Sequence, residues 1–368
     1  MTALRIAAAA IGALMVFSTG LSAIKTVVVP RATSQKISRF WFVGWRRLFE
    51  LIAHPRRSFE RRDRVLALYA PVALVLLPAL WVTLVTLGFT GLQWAISGDS
   101  LRSAFLVSGS SILTLGIRFN SALPSAILSF IEATMGLGLV ALLISYLPSI
   151  YGSFGRREAL VGMLESRAGT PPSPYELLVR YRSIGALDQL DDDLFGKWEQ
   201  WFIEVEESHT SFPSLVFFRS PQPARSWITA AGCVLDTCSL YLSIVDRSAI
   251  AGPGGAPAPS AQQSGGRVSL CLRTGFLSLR RIAEVFRIGF DPDPDPTDPI
   301  SVTRREFDLM CFELDAADVP MRDDRDLAWS DFQGWRVNYD TVLVALAKLI
   351  NAPEGRWSSD RPGDQIVA

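Results

Sequence analysis

The sequence predicts an all-α membrane protein with three transmembrane helices, one re-entrant helix and a helical cytoplasmic domain. Three observations carry this. Three apolar stretches are long enough to cross a bilayer, since a hydrocarbon core of about 30 Å needs roughly 20 residues. A fourth apolar segment, between the second and third stretches, is too short to cross. After Gly155 the composition changes, and amphipathic helical patterns with frequent charges replace the apolar runs. Apolar residues make up 49% of the 368 positions, and the mean hydropathy is +0.25. Formal net charge is zero, so total charge selects no partner.

The first stretch, Ile6 to Ile24, lies in an N-terminal transmembrane segment, residues 1–29. A cleaved signal peptide is the competing reading, because a basic start, an apolar centre and "LSA" also fit one. Residues 30–64 form a basic, aromatic loop. Ten basic residues between Arg31 and Arg64 face only Glu50, Glu60 and Asp63. Such a short basic loop stays in the cytoplasm. The N-terminus is then outside, the second span runs outward and the third inward, and Arg156 and Arg157 after the third agree. The chain is expected to be a multi-pass protein of the cell membrane with its C-terminal domain in the cytoplasm.

Within the loop, "RFWFVGWRRLF" (39–49) mixes Phe40, Trp41, Val43, Trp45 and Phe49 with Arg39, Arg46 and Arg47. A helix lying on the inner membrane surface and drawn to anionic lipid fits this pattern. An ordinary basic linker fits equally well. Nucleic acid is not an expected partner of a segment tethered between two spans.

The second stretch, Val65 to Ile96, is uncharged and longer than a bilayer requires. Pro71 and Pro78 are expected to kink it. Ser97-Gly98-Asp99-Ser100 is turn chemistry, with Asp99 or Ser100 as a helix cap. From Ser103 to Ile117 the chain again has no charge. A short helix that dips into the membrane, followed by an extended return, accounts for this length. Non-helical backbone at that depth must be buried in protein or line a watery cavity. The third stretch, Ser121 to Tyr151, carries a single charge, Glu132.

Span, short helix, Thr-x-Gly and span follow one another here. Ser108, Ser110 and Ser111 precede Thr114, Leu115, Gly116, Ile117 and Arg118, and Gly136 and Gly138 lie in the following span. Over residues 65–155 this layout resembles the pore module of the potassium-channel family. The resemblance implies a selectivity filter at Thr114–Arg118 supported by the serines of a pore helix. It also implies an inner helix with Gly136 or Gly138 at its flexible position. One pore segment per chain implies a homotetramer that conducts monovalent cations, potassium among them. The family motif has a second glycine where this chain has Arg118 and an aspartate where it has Phe119. Filter carbonyls replace an ion's hydration shell, so a charged side chain there alters selectivity. Glu132 is expected to reach behind the loop to Arg118, or to Ser108, Ser110 or Ser111. A carboxyl bonded to a neighbouring helix is the alternative. A non-conducting receptor or scaffold that keeps the channel fold is the competing function.

Residues 156–368 read as the helical cytoplasmic domain, which gates the pore or assembles the oligomer. Helical patterns cover Arg156–Ala168, the segment opened by Pro174, and 187–202, where Leu187, Leu190, Leu194, Phe195, Trp198 and Phe202 share a spacing. "SWITAAGCVLDTCSLYLSIVD" (226–246) reads as a buried helix, with Asp236 arguing against a fourth span. Residues 251–266 read as a flexible linker. Patterns resume at Leu270–Phe290, Arg304–Leu314 and Phe332–Ile350.

No cofactor, metal or catalytic constellation is expected. Cys233 and Cys238 lack a second pair and a nearby histidine, and the four cysteines read as buried thiols. "DPDPDPTDP" (291–299) has alternating aspartates, but Pro296 stands where an EF-hand needs glycine, so a stiff acidic connector is expected. His209 reads as a surface histidine, and no nucleophile is tied to a base. The chain is therefore not expected to be an enzyme.

Overall fold

A computed structural model gives the protein's structure and describes residues 2–27, 36–53, 58–250 and 266–360. It is all-helical: among the described residues the only β pairing is an isolated bridge between Val245 and Met321. The chain divides into two compact units, Met1–Gly152 and Ser153–Ala368.

The first unit holds α1 (Thr2–Val27), α2 (Lys36–Ile52), α3 (Phe59–Ser97), α4 (Leu101–Ile112) and most of α5 (Leu123–Ala168). Helices α1, α3 and α5 are long and apolar enough to cross a membrane. At 1.5 Å per residue, α3 is about 58 Å long, so it exceeds a bilayer core. Both Pro71 and Pro78 lie inside this single helix. Leu77, Trp81, Val85 and Phe89, four residues apart, bury one face of it with Ile112 and Leu139. Helices α1 and α3 pack antiparallel, with Gly12 against Gly88 and Ala8 against Gly91. A Cβ on Gly91 would stand 2.7 Å from the Ala8 carbonyl oxygen.

Helix α2 takes up the expected 39–49 segment. One face packs on α3: the Trp41 indole donates to Ala73 O at 2.7 Å and the Tyr69 hydroxyl to Phe42 O at 3.1 Å. Its other side leaves Phe40, Val43 and Leu51 exposed beside Arg39 and Arg47.

The second unit is built around α8 (Trp227–Ser243), all of whose residues are buried. Around it lie α6 (Pro174–Ser183), α7 (Gly196–Ser211), α9 (Gly266–Phe286), α10 (Arg304–Asp315), α11 (Arg325–Arg336) and α12 (Asp340–Leu349). The six apolar positions read between 187 and 202 are all buried, although a 3₁₀ turn and a π turn precede α7. Asp236 is not solvated: Arg336 donates to it and to Asp340, and the Tyr339 hydroxyl donates to Asp236 at 2.8 Å. This network corrects the expected helix over Phe332–Ile350. The chain breaks at 337–339, so that Arg336, Tyr339 and Asp340 all turn toward Asp236 and Ser301. The linker read at 251–266 lies outside the described residues except for Gly266, which begins α9. In the 291–299 connector each aspartate turn is closed locally, as where Asp295 accepts from the Thr297 amide at 2.8 Å.

Candidate functional site

The segment from α4 to the start of α5 carries the residues singled out in the sequence. Gly98 ends α3 at φ 72°, and the Ser100 hydroxyl caps α4 by accepting from the Ser103 amide at 3.2 Å. With 12 residues, α4 rises about 18 Å, too little to cross. Leu113 ends it, and residues 113–122 continue without helix. Thr114 has φ 53° and Gly116 φ 67°. Glycine takes this left-handed conformation freely, but a β-branched threonine there is an outlier that its surroundings must hold. The Thr114 amide donates to Ser111 O at 3.0 Å and the Leu115 amide to Ser110 O at 2.9 Å. The Arg118 amide donates to Ser110 Oγ at 3.0 Å. Leu115, Ile117 and Arg118 are exposed in the single chain.

Behind α4 lies a buried polar seam. The Ser108 hydroxyl bridges α4 to both long helices: it lies 2.9 Å from Thr86 O and hydrogen-bonds Glu132 Oε1. Further toward the α3–α4 turn, Gln93 Nε2 donates to Ser125 O and Ser129 Oγ, and Ser125 Oγ donates to Gln93 Oε1 at 2.5 Å. Gln93 on α3 thus meets Ser125 and Ser129 on α5, and Ser108 links the Thr86 carbonyl to Glu132. Glu132 is fully buried, and its Oε2 has no partner. Of the expected partners, Ser108 is the one it takes. The Arg118–Glu132 pair does not form: Arg118 is exposed with its amide held by Ser110, whereas Glu132 is buried against Ser108. Ser111 turns back to Val107 O on its own helix.

The two candidate hinge glycines differ. Gly136 lies so close to Ile112 O that any Cβ would collide with it, whereas Gly138 faces open space. Gly136 therefore sets the approach of α5 to the end of α4. The polar seam was only half readable in the sequence. Glu132 stood out as the one charge in its span, but Gln93 carried no such mark.

A further polar site lies in the second unit. His209 is completely buried, not a surface residue. Arg157 Nη1 contacts His209 Nε2 at 3.0 Å and Leu215 O at 2.9 Å, while Nη2 donates to Phe218 O at 2.7 Å. Burial and the adjacent guanidinium push the His209 pKa well below its usual value. None of the four cysteines forms a disulfide, and all are buried. Burial pushes the Cys311 thiol up to about 11. Among the described residues no cluster of His, Cys, Asp and Glu has a metal-binding arrangement. No family model, curated protein or solved structure matches the chain.

Proposed function

We propose that the protein is a channel-like membrane protein that conducts monovalent cations through a homotetrameric pore. Thr114, Leu115, Gly116, Ile117 and Arg118 of each chain line its narrow part. The observation that carries this reading is the loop after α4. A helix too short to cross ends in an exposed segment whose Thr114 and Gly116 both hold left-handed backbone. Strained backbone persists where the surrounding structure over-determines it, and such places are often functional. Ser110 and Ser111 supply that support from α4, accepting from the Leu115, Arg118 and Thr114 amides. Exposed apolar side chains at Leu115 and Ile117 suit a loop that meets copies of itself. The second unit acts as the cytoplasmic part, and the exposed face of α2 rests on anionic lipid of the inner leaflet.

One observation favours a non-conducting receptor or scaffold. Among the described residues Arg118 makes no ion pair, so four guanidinium groups near one axis would repel cations. Flux of potassium, sodium and chloride into liposomes holding the full chain separates the two, measured alongside Gly116→Asp and Arg118→Gly. Cation flux that Gly116→Asp abolishes, with the oligomer intact, supports the pore. A wild type that is silent while Arg118→Gly conducts makes the loop a pore closed by Arg118. Silence of both, in correctly inserted tetramers, overturns the channel reading in favour of the scaffold.

A further inference from the structure

An open groove runs between α1, α3 and α4. Its walls are apolar, formed by Ile11 and Met15 of α1, Leu87 of α3 and Phe105 of α4, with Gly12 and Gly91 also lining it. The groove has one charged lining residue, Arg102, in the first turn of α4. Arg102 is exposed and has no ion pair among the described residues. Trp94 lines the same end. The Arg5 guanidinium lies 5.5 Å over the Trp94 ring and donates to Gly98 O at 2.9 Å. Tryptophan beside arginine at the end of a span marks headgroup level, where both side chains find water and phosphate. The groove thus has acyl-chain chemistry along its length and positive charge at the depth of lipid phosphates. Asp99, in the adjoining turn, is the nearby acid, and the Asn120 amide approaches its carboxylate at 3.5 Å.

We propose that this groove binds one phospholipid per chain, with an acyl chain against Ile11, Leu87 and Phe105 and an anionic headgroup on Arg102. The charge complementarity at the rim selects the headgroup, and the apolar walls select a lipid over a soluble anion. This site is separate from the basic segment of α2, and it does not depend on conduction.

The test is native mass spectrometry of the full chain, delipidated in detergent and then incubated with equimolar phosphatidylglycerol and phosphatidylcholine. The wild type is expected to retain phosphatidylglycerol in preference. Arg102→Gln should lower that retention roughly fivefold, the worth of one arginine at an anionic headgroup, and Arg102→Lys should keep most of it. Ile11→Trp, which fills the groove from its exposed side, should lower retention of both lipids. Arg47→Gln on α2 should leave the groove lipid in place. Because Arg102 and Ile11 are exposed, neither change threatens folding, and gel filtration checks this. Equal retention of the two lipids by the wild type, or undiminished phosphatidylglycerol on Arg102→Gln, would overturn the proposal. So would loss of the oligomer on Ile11→Trp without a change in bound lipid, which would seat a second copy of the chain in the groove.

Discussion

His209 shows what one buried side chain dictates. A guanidinium has no acceptor, so His209 Nε2 must accept from Arg157. The ring is then neutral, and its Nδ1–H points to the Ser208 hydroxyl, 3.0 Å away. Protonation would set a second cation against Arg157, away from water and next to the Trp227 ring, whose centroid is 5.0 Å off. The sign of the pH effect follows. An unfolded histidine takes its proton near pH 6.5, while the folded one refuses it until the pH is far lower. Stability of the second unit is therefore whole above about pH 6.5 and falls as the pH drops below it. The limiting slope is about 1.4 kcal/mol per pH unit. Between pH 7.5 and 5.5 the wild type should lose roughly 1 kcal/mol more than His209→Gln, because glutamine keeps an acceptor for Arg157 but does not titrate. Urea titration of the full chain in detergent, followed by tryptophan fluorescence, measures this, and equal losses in the two proteins would refute it. The sequence offered His209 only as a polar residue after an acidic helix. Its burial depends on Arg157, 52 positions away, and no local pattern encodes such a pairing. Asp236 is the converse case. A carboxylate in the middle of an apolar helix announces that it needs a partner, because a buried charge without one is costly. The identity of that partner, Arg336, was not legible.

At the scale of elements, hydropathy located the three long helices and the short one between them, because each is set by a local run of apolar residues. The boundaries and breaks were less legible. The expected last helix splits into α11 and α12 because a network centred on Asp236, about a hundred residues earlier, turns Arg336, Tyr339 and Asp340 inward. How helices approach one another was hidden too, since it depends on which glycine meets which backbone. Gly136 and Gly138 are equivalent in the sequence, yet only Gly136 abuts Ile112 O. Gly136→Ala should force α5 away from the end of α4, at a cost of about 1–3 kcal/mol. It should also loosen the bond from Ser108 to Glu132. Gly138→Ala meets nothing, and removing a helix-interior glycine should leave stability unchanged or raise it by up to about 1 kcal/mol. Thermal unfolding of both variants in detergent decides the matter. A Gly136→Ala protein as stable as Gly138→Ala would mean that this approach is looser than described.

For the whole molecule the question is which side of the membrane each part faces. Helices α1 and α3 pack antiparallel, so the N-terminal end of α1 lies beside the α3–α4 turn, where Arg5 meets Gly98. Those two points share one face of the membrane, whatever its orientation. The asymmetry of charge then sets the direction. Ten basic residues fall between Arg31 and Arg64, and basic loops are retained in the cytoplasm. The proposed topology therefore puts the α3–α4 turn outside. In the proposed topology one further crossing then brings the C-terminal end of α5, and with it the second unit, inside. The chain suits a direct test, because its four native cysteines are buried and the burial-raised pKa values of Cys233 and Cys311 leave little thiolate to react. A cysteine placed at exposed Asp99 should react with a membrane-impermeant maleimide on intact cells. One placed at exposed Ser183, after α6, should react only once the membrane is opened. The reverse pattern would invert the topology and put the basic face of α2 outside. Labelling of both positions on intact cells would mean that α5 does not cross, and would break the link between three crossings and an internal second unit.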